Sequence, residues 1–134
     1  MVFILSPMLH PIPEDRVRSH TPVISNLITV SDGQLLFFCP LRHDWLIKGT
    51  NYYIEALPSL IDHLGPRLTL VMTNWGSDLQ RSVDLAEQLG ISRHITWLPP
   101  LCRHELLSLL KLSNVVFDQI ALPHFGATAP EAIA

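Results

Sequence analysis

No Gly-x-Gly-x-x-Gly follows any apolar run in this chain of 134 residues, so the fingerprint of a dinucleotide oxidoreductase is missing. Histidine occurs seven times but never as a pair at the short spacings of a zinc motif, and no metal site is expected. Cysteine is scarce: Cys39 and Cys102 have neither metal nor redox spacing and cannot make a disulfide framework. Reduced, structural thiols in a cytosolic protein are the expectation. Charged residues make up only 16%, and the formal charge of −3 is spread over both halves without a basic block. That excludes the usual electrostatic nucleic-acid surface. No stretch approaches the roughly 18 uninterrupted apolar residues of a membrane span. The apolar start, Met1 to Leu9, is short, lacks a cationic opening and meets Pro7, unlike a signal peptide. A soluble, cytoplasmic chain without a transmembrane segment is expected.

What is present suits a folded core. The composition is 48% hydrophobic, and the length supports about one domain on the usual scale of roughly 100–200 residues. Four prolines (Pro7, Pro11, Pro13 and Pro22) crowd residues 6–23, which disfavours helix and marks residues 1–33 as a lead-in or interdomain segment. Residues 23–30 suit a short strand, and Ser31-Asp32-Gly33 a turn.

From Gln34 the pattern becomes regular. Leu35 to Pro40 is a buried-strand run, and Tyr53, Ile54, Leu57, Leu60, Ile61 and Leu64 recur at helical spacing. Pro58 should kink that helix or loosen a turn, and Gly65-Pro66 closes it. Leu68 to Thr73 is a second strand, left through Asn74-Trp75-Gly76. Ser77 and Gln80 match a capping box that opens a helix reaching about Leu89, with Gly90 as its stop. His94 to Leu98 is a third strand, ended by Pro99-Pro100. Glu105 to Leu112 is a leucine-rich helix, Asn114 to Asp118 a fourth strand, and a last helix starts near Thr128. Strands alternating with helices predict an α/β domain over residues 34–134, with a mostly parallel sheet covered on both faces.

Three loops can carry chemistry. After the first strand, Arg42 and Lys48 stand six residues apart before a helix N-terminus near Thr50, an arrangement able to clamp a diphosphate. The same spacing fits two solvated loop charges. After the fourth strand, Gly126 permits close backbone approach and Pro130 suits the first turn of a helix. Glu131 can accept hydrogen bonds from a sugar diol, although Thr128-x-x-Glu131 is itself a capping box. Trp97-Leu98-Pro99-Pro100-Leu101 can hold a planar base or simply pack as core and turn. Gly76 likewise leaves room for a ligand or for a tight turn.

Taken in order, Arg42-His-Asp-Trp-x-x-Lys48-Gly, Asn74-Trp-Gly76, Trp97-Leu-Pro-Pro100, Val115-Val-Phe-Asp118 and Phe125-Gly126 to Glu131-Ala-Ile-Ala134 resemble one known domain. It is the donor-binding C-terminal domain of GT-B fold glycosyltransferases, family 4 in particular, over roughly residues 34–134. Leu9-His-Pro-Ile-Pro13 loosely resembles the interdomain segment. The resemblance implies a Rossmann-like half that binds a nucleotide-diphosphate sugar donor and belongs to a retaining transferase without a catalytic metal or other cofactor. Arg42 and Lys48 would neutralise the departing diphosphate, electrostatic stabilisation placed where charge develops. Gly126 and Ala127 would offer backbone N–H groups to the phosphates, Glu131 would bind the ribose, and Leu98 with its neighbours would meet the base through the backbone.

Two departures stand out. The acidic residue that the family often carries eight positions before the helix glutamate is here Pro123, with Asp118 as the available substitute or as a turn cap. The N-terminal acceptor domain is also missing, so a truncated fragment, inactive alone, with an unassigned acceptor and catalytic base, is expected. A sugar-nucleotide epimerase of the same architecture and a non-catalytic α/β interaction module are the alternatives.

Overall fold

A computed structural model of the chain describes residues 28–121. Strand β1 (Leu35–Cys39) is central, flanked by β2 (Leu68–Thr73) and β4 (Val115–Val116), with β3 (Ile95–Leu98) beyond β2. All pairings are parallel, with Phe37 opposite both Leu70 and Val115. A parallel strand buried on both faces reads as an unbroken apolar run, and Leu-Leu-Phe-Phe-Cys is one.

Alternation along the strands splits the core in two. Phe37, Cys39, Leu70, Met72 and Ile95 point to one face, where they meet Tyr53, Ile54 and Leu57 of helix α1 (Thr50–Leu64) and Ala86 of helix α2 (Leu79–Gln88). Leu36, Phe38, Val71 and Leu98 point to the other and meet Leu109 and Leu110 of helix α3 (Arg103–Leu112). The expected α/β sheet with helices on both faces is therefore present, in the order β3-β2-β1-β4. Because β1 leads through α1 to β2 while α3 returns across the opposite face to β4, the winding reverses between β1 and β4. In open α/β sheets the crevice at the strands' carboxyl ends, at that reversal, is where ligands bind.

Helix α1 runs unbroken through Pro58 and stops at Gly65, whose N–H reaches the Ile61 carbonyl at 2.8 Å. Three expectations need correction. Residues 28–30 form no strand, and 23–27 lie outside the described residues. The capping box from Ser77 to Gln80 does not form. Helix α2 starts one residue later, after Asp78, and the Gln80 amide instead donates to Asp84 Oδ1 at 2.9 Å. Strand β4 is only two residues long, with backbone bonds from Asn114 N–H to the Leu36 carbonyl and from Phe117 N–H to the Phe38 carbonyl on either side of it, while Asn114 Oδ1 accepts the Leu36 N–H at 2.8 Å. Both cysteines are free; Cys39 is buried, and Cys102, just before α3, is exposed. The helix expected near Thr128 lies outside the described residues.

Candidate functional site

Because every strand is parallel, the exits of β1, β2, β3 and β4 share one rim of the sheet. The exit of β1 is organised by Asp44. Its carbonyl accepts the N–H groups of Lys48 (2.8 Å) and Gly49 (3.2 Å), and its Oδ1 accepts that of Ile47 (2.9 Å). Its other oxygen pairs with the Arg42 guanidinium at 3.2 Å, on a side chain that remains 43% exposed. Leu46 sits at the loop apex, 85% exposed.

Lys48 reaches across the crevice. Its Nζ donates to Gln119 Oε1 in the exit of β4 at 2.5 Å, and its carbonyl accepts the Ile120 N–H at 3.4 Å. Gly49 follows with φ of 68°, and a Cβ there would lie 3.0 Å from the Ile120 side chain. The loops after β1 and β4 thus touch at the winding reversal, with an ammonium group at the contact. Among the described residues, Arg42 Nε, Thr50 Oγ1 and Asn51 Oδ1 are buried polar atoms without a hydrogen-bond partner. All three belong to this loop and the helix turn it feeds, and unsatisfied buried polar atoms are rare enough to need a reason.

The floor of the loop is a polar network that the sequence did not reveal. His43 is fully buried, with Nδ1 2.8 Å from Ser82 Oγ and Nε2 3.0 Å from the Thr73 carbonyl. Its backbone is fixed as well: its N–H donates to the Trp75 carbonyl (2.8 Å) and its carbonyl accepts the Asp78 N–H (2.9 Å). Trp45 ties the next turn to α2, giving its backbone N–H to Asp78 Oδ2 and its indole N–H to Ser82 Oγ, each at 2.9 Å. Arg81 lies over the Trp45 ring at 4.1 Å and pairs with Asp78 at 2.9 Å. Burial pushes the His43 imidazole below its ordinary value, which favours the neutral ring. The Trp45 N–H and then Arg81 hold Asp78 below the usual carboxylate range.

The other expected site residues are placed as follows. Gly76 has φ of 120°, and a Cβ there would strike the His43 backbone. The room it leaves is filled by the chain itself. The Leu98 side chain is buried, and its carbonyl accepts the Asn74 N–H at 2.7 Å, which ties the β3 exit to the β2 exit. Asp118 Oδ1 accepts the neighbouring Gln119 N–H at 2.8 Å. Gly126, Ala127 and Glu131 lie outside the described residues. The structure therefore brings Arg42 and Lys48 into one loop, with Gly76 beneath it and Leu98 at the neighbouring strand exit.

This doubly wound sheet with a cationic loop at its reversal fits the comparison with known families. The family described as Glycosyl transferases group 1 matches residues 30–134. The chain belongs to the group 1 glycosyl transferases. Its relatives include two proteins named D-inositol 3-phosphate glycosyltransferase. The one from Corynebacterium urealyticum is 34% identical over 94 residues, which make up 66% of this chain and 22% of that protein. The one from Corynebacterium jeikeium is 32% identical over a stretch of the same extent. The crystal structure of WaaG, a glycosyltransferase involved in lipopolysaccharide biosynthesis, matches with a TM-score of 0.58 over 79% of this chain and 26% of WaaG. At 21% identity that likeness is one of fold, the GT-B architecture. The group 1 chain described here spans about a quarter of the length of the relatives it matches. Among its described residues no helix is long and apolar enough to cross a membrane.

Proposed function

We propose that this group 1 glycosyl transferase chain forms the donor half of a retaining transfer, holding the diphosphate of a nucleotide sugar in the crevice between the exits of β1 and β4. The observation that carries this reading is Lys48, whose ammonium group spans the two loops at the winding reversal. A diphosphate gathers negative charge as the bond from its terminal oxygen to the anomeric carbon breaks. Cations already in place at that point stabilise the transition state more than the ground state. Arg42 offers a planar fork suited to two phosphate oxygens, and Lys48 a point charge. Neither requires a metal. Gly126 and Ala127 would add backbone N–H groups, Glu131 would take the ribose hydroxyls, and the backbone around Leu98 would meet the base. The relatives' name makes a phosphorylated polyol a candidate acceptor, and no acceptor group or catalytic base is assigned on this chain. Membership of the group 1 family favours transfer over the sugar-nucleotide epimerase.

Calorimetric titration of the purified chain with uridine, guanosine and adenosine diphosphates tests the reading. A charge-assisted hydrogen bond contributes about 1.5–3 kcal/mol, so Arg42→Ala and Lys48→Ala should each weaken binding by about tenfold or more. Unchanged affinity in both variants would refute the assignment. A chain that ignores all three nucleotides and elutes as an oligomer would instead support the interaction module. The 134 residues alone are expected to show no glycosyl transfer.

A further inference from the structure

His43 lies beneath the loop that carries both cations, and its hydrogen bonds run in one direction only. The Thr73 carbonyl can only accept, so Nε2 bears the ring proton and donates to it. Nδ1 must then accept from the Ser82 hydroxyl, whose oxygen in turn accepts the Trp45 indole N–H. Trp97 covers the ring at 5.3 Å between centroids. The charged groups around it are already engaged: Asp78 with Arg81 and the Trp45 N–H, and Asp44 with Arg42. Among the described residues no carboxylate hydrogen-bonds the imidazole, whose two nitrogens face a hydroxyl and a carbonyl. The ring therefore joins three parts of the molecule: the loop through its own backbone, α2 through Ser82, and β2 through Thr73.

We propose that His43 is a positioning residue for the diphosphate loop: its neutral, Nε2-protonated ring locks residues 42–45 onto α2 and β2 and so holds Arg42 and Lys48 at the mouth of the crevice. The proposal rests on the diphosphate reading above. It differs from a packing role in making anion affinity follow the number of these hydrogen bonds that is kept. The carboxamide of His43→Asn places an acceptor near the position of Nδ1 and keeps the link to Ser82. His43→Gln reaches only the Thr73 end, and His43→Ala keeps neither.

The test is titration of the wild-type chain and the three variants with inorganic pyrophosphate, each well below its own melting temperature, together with nitrogen NMR of the imidazole. All three variants should be less stable than the wild type. The Ala variant, which keeps neither bond, should lose about tenfold in pyrophosphate affinity, while the Asn and Gln variants, each keeping one, should lose about threefold, within the range expected for one lost net hydrogen bond. Nitrogen shifts should place the His43 proton on Nε2. A folded Ala variant that binds like the wild type overturns the proposal alone, as does a proton on Nδ1. A wild-type chain that does not bind pyrophosphate overturns the diphosphate reading and this proposal together.

Discussion

Replacing Gly76 with alanine separates two explanations of a glycine that leaves a strand beside a candidate site. At φ of 120° an L residue is strained, and the new Cβ would fall on the backbone N, C and O atoms of His43. Relief requires the loops after β1 and β2 to part, which loosens the bonds from His43 N–H to the Trp75 carbonyl and from Asp78 N–H to the His43 carbonyl. Backbone strain costs about 1–3 kcal/mol and overpacking about 1–3 kcal/mol, and each lost hydrogen bond adds about 0.5–1.5 kcal/mol. The lower ends together give about 3 kcal/mol, a large share of the roughly 5–15 kcal/mol that stabilises a typical domain. Urea unfolding followed by tryptophan fluorescence should show the midpoint falling by about 1–3 M, given slopes of about 1–3 kcal/mol per molar. If Gly76 were instead needed for room around a ligand, the variant would melt like the wild type and lose only nucleotide affinity. That result, or unchanged stability of any kind, would refute the packing explanation.

Acidification should destabilise the chain before its carboxylates titrate. The folded state holds the His43 value below 6.5, so just below pH 6.5 the unfolded state binds more protons and stability falls as pH decreases. Asp78 and Glu105 are held below 3.8 and 4.5, so their stabilisation begins to be lost only at lower pH than that at which the His43 effect sets in. Melting curves from pH 5 to 8 check this, and a wild-type slope no steeper than that of His43→Asn would refute it. Thiol chemistry should be equally selective. Burial pushes the Cys39 thiol up to about 12, whereas Cys102 is exposed. An aromatic disulfide reagent should titrate one thiol rapidly in the native chain and the second only in denaturant; two equal rates would contradict the placement of Cys39.

The parts of the molecule that were readable in the sequence depend on local pattern. Leu68 to Thr73 appears as a strand with the expected limits, because a buried parallel strand is an apolar run wherever it occurs. The α1 stripe is equally direct, since Tyr53, Ile54 and Leu57 repeat at helical spacing and all three are buried. The site network was not readable, because its partners are distant in sequence. His43 meets Thr73 and Ser82 at separations of 30 and 39 residues, and Lys48 meets Gln119 at 71. No spacing rule connects such pairs. The misplaced start of α2 has the same origin. Asp78, not Ser77, precedes the helix, and its carboxylate is held by Trp45 from 33 residues away and by Arg81 rather than by the helix N-terminus. A signal was present in the run from Arg42 to Lys48, where histidine, aspartate and tryptophan take the first three of the five positions between the two cations. Its meaning required the fold.

That fold gives the two cations a particular kind of holding. The backbone beneath them is fixed by buried hydrogen bonds, whereas the charged ends have light partners: Asp44 in a half-exposed pair for Arg42 and a neutral amide for Lys48. An exposed ion pair contributes about 0–1 kcal/mol, so on the proposed reading a diphosphate would displace these partners at small cost without moving the loop. Making one partner heavier should therefore weaken anion binding. Gln119→Glu puts a carboxylate where the Lys48 ammonium now meets an amide, which neutralises the cation and repels the incoming phosphate. Like charges about 4 Å apart repel by about 1 kcal/mol in water and about 4 kcal/mol near a protein surface, so pyrophosphate affinity should drop by about tenfold or more. The loss should shrink as salt rises, because screening acts on exposed charges. Calorimetry at two ionic strengths measures both effects. Affinity that does not respond to Gln119→Glu would mean that the phosphates bind away from the contact between the β1 and β4 exits.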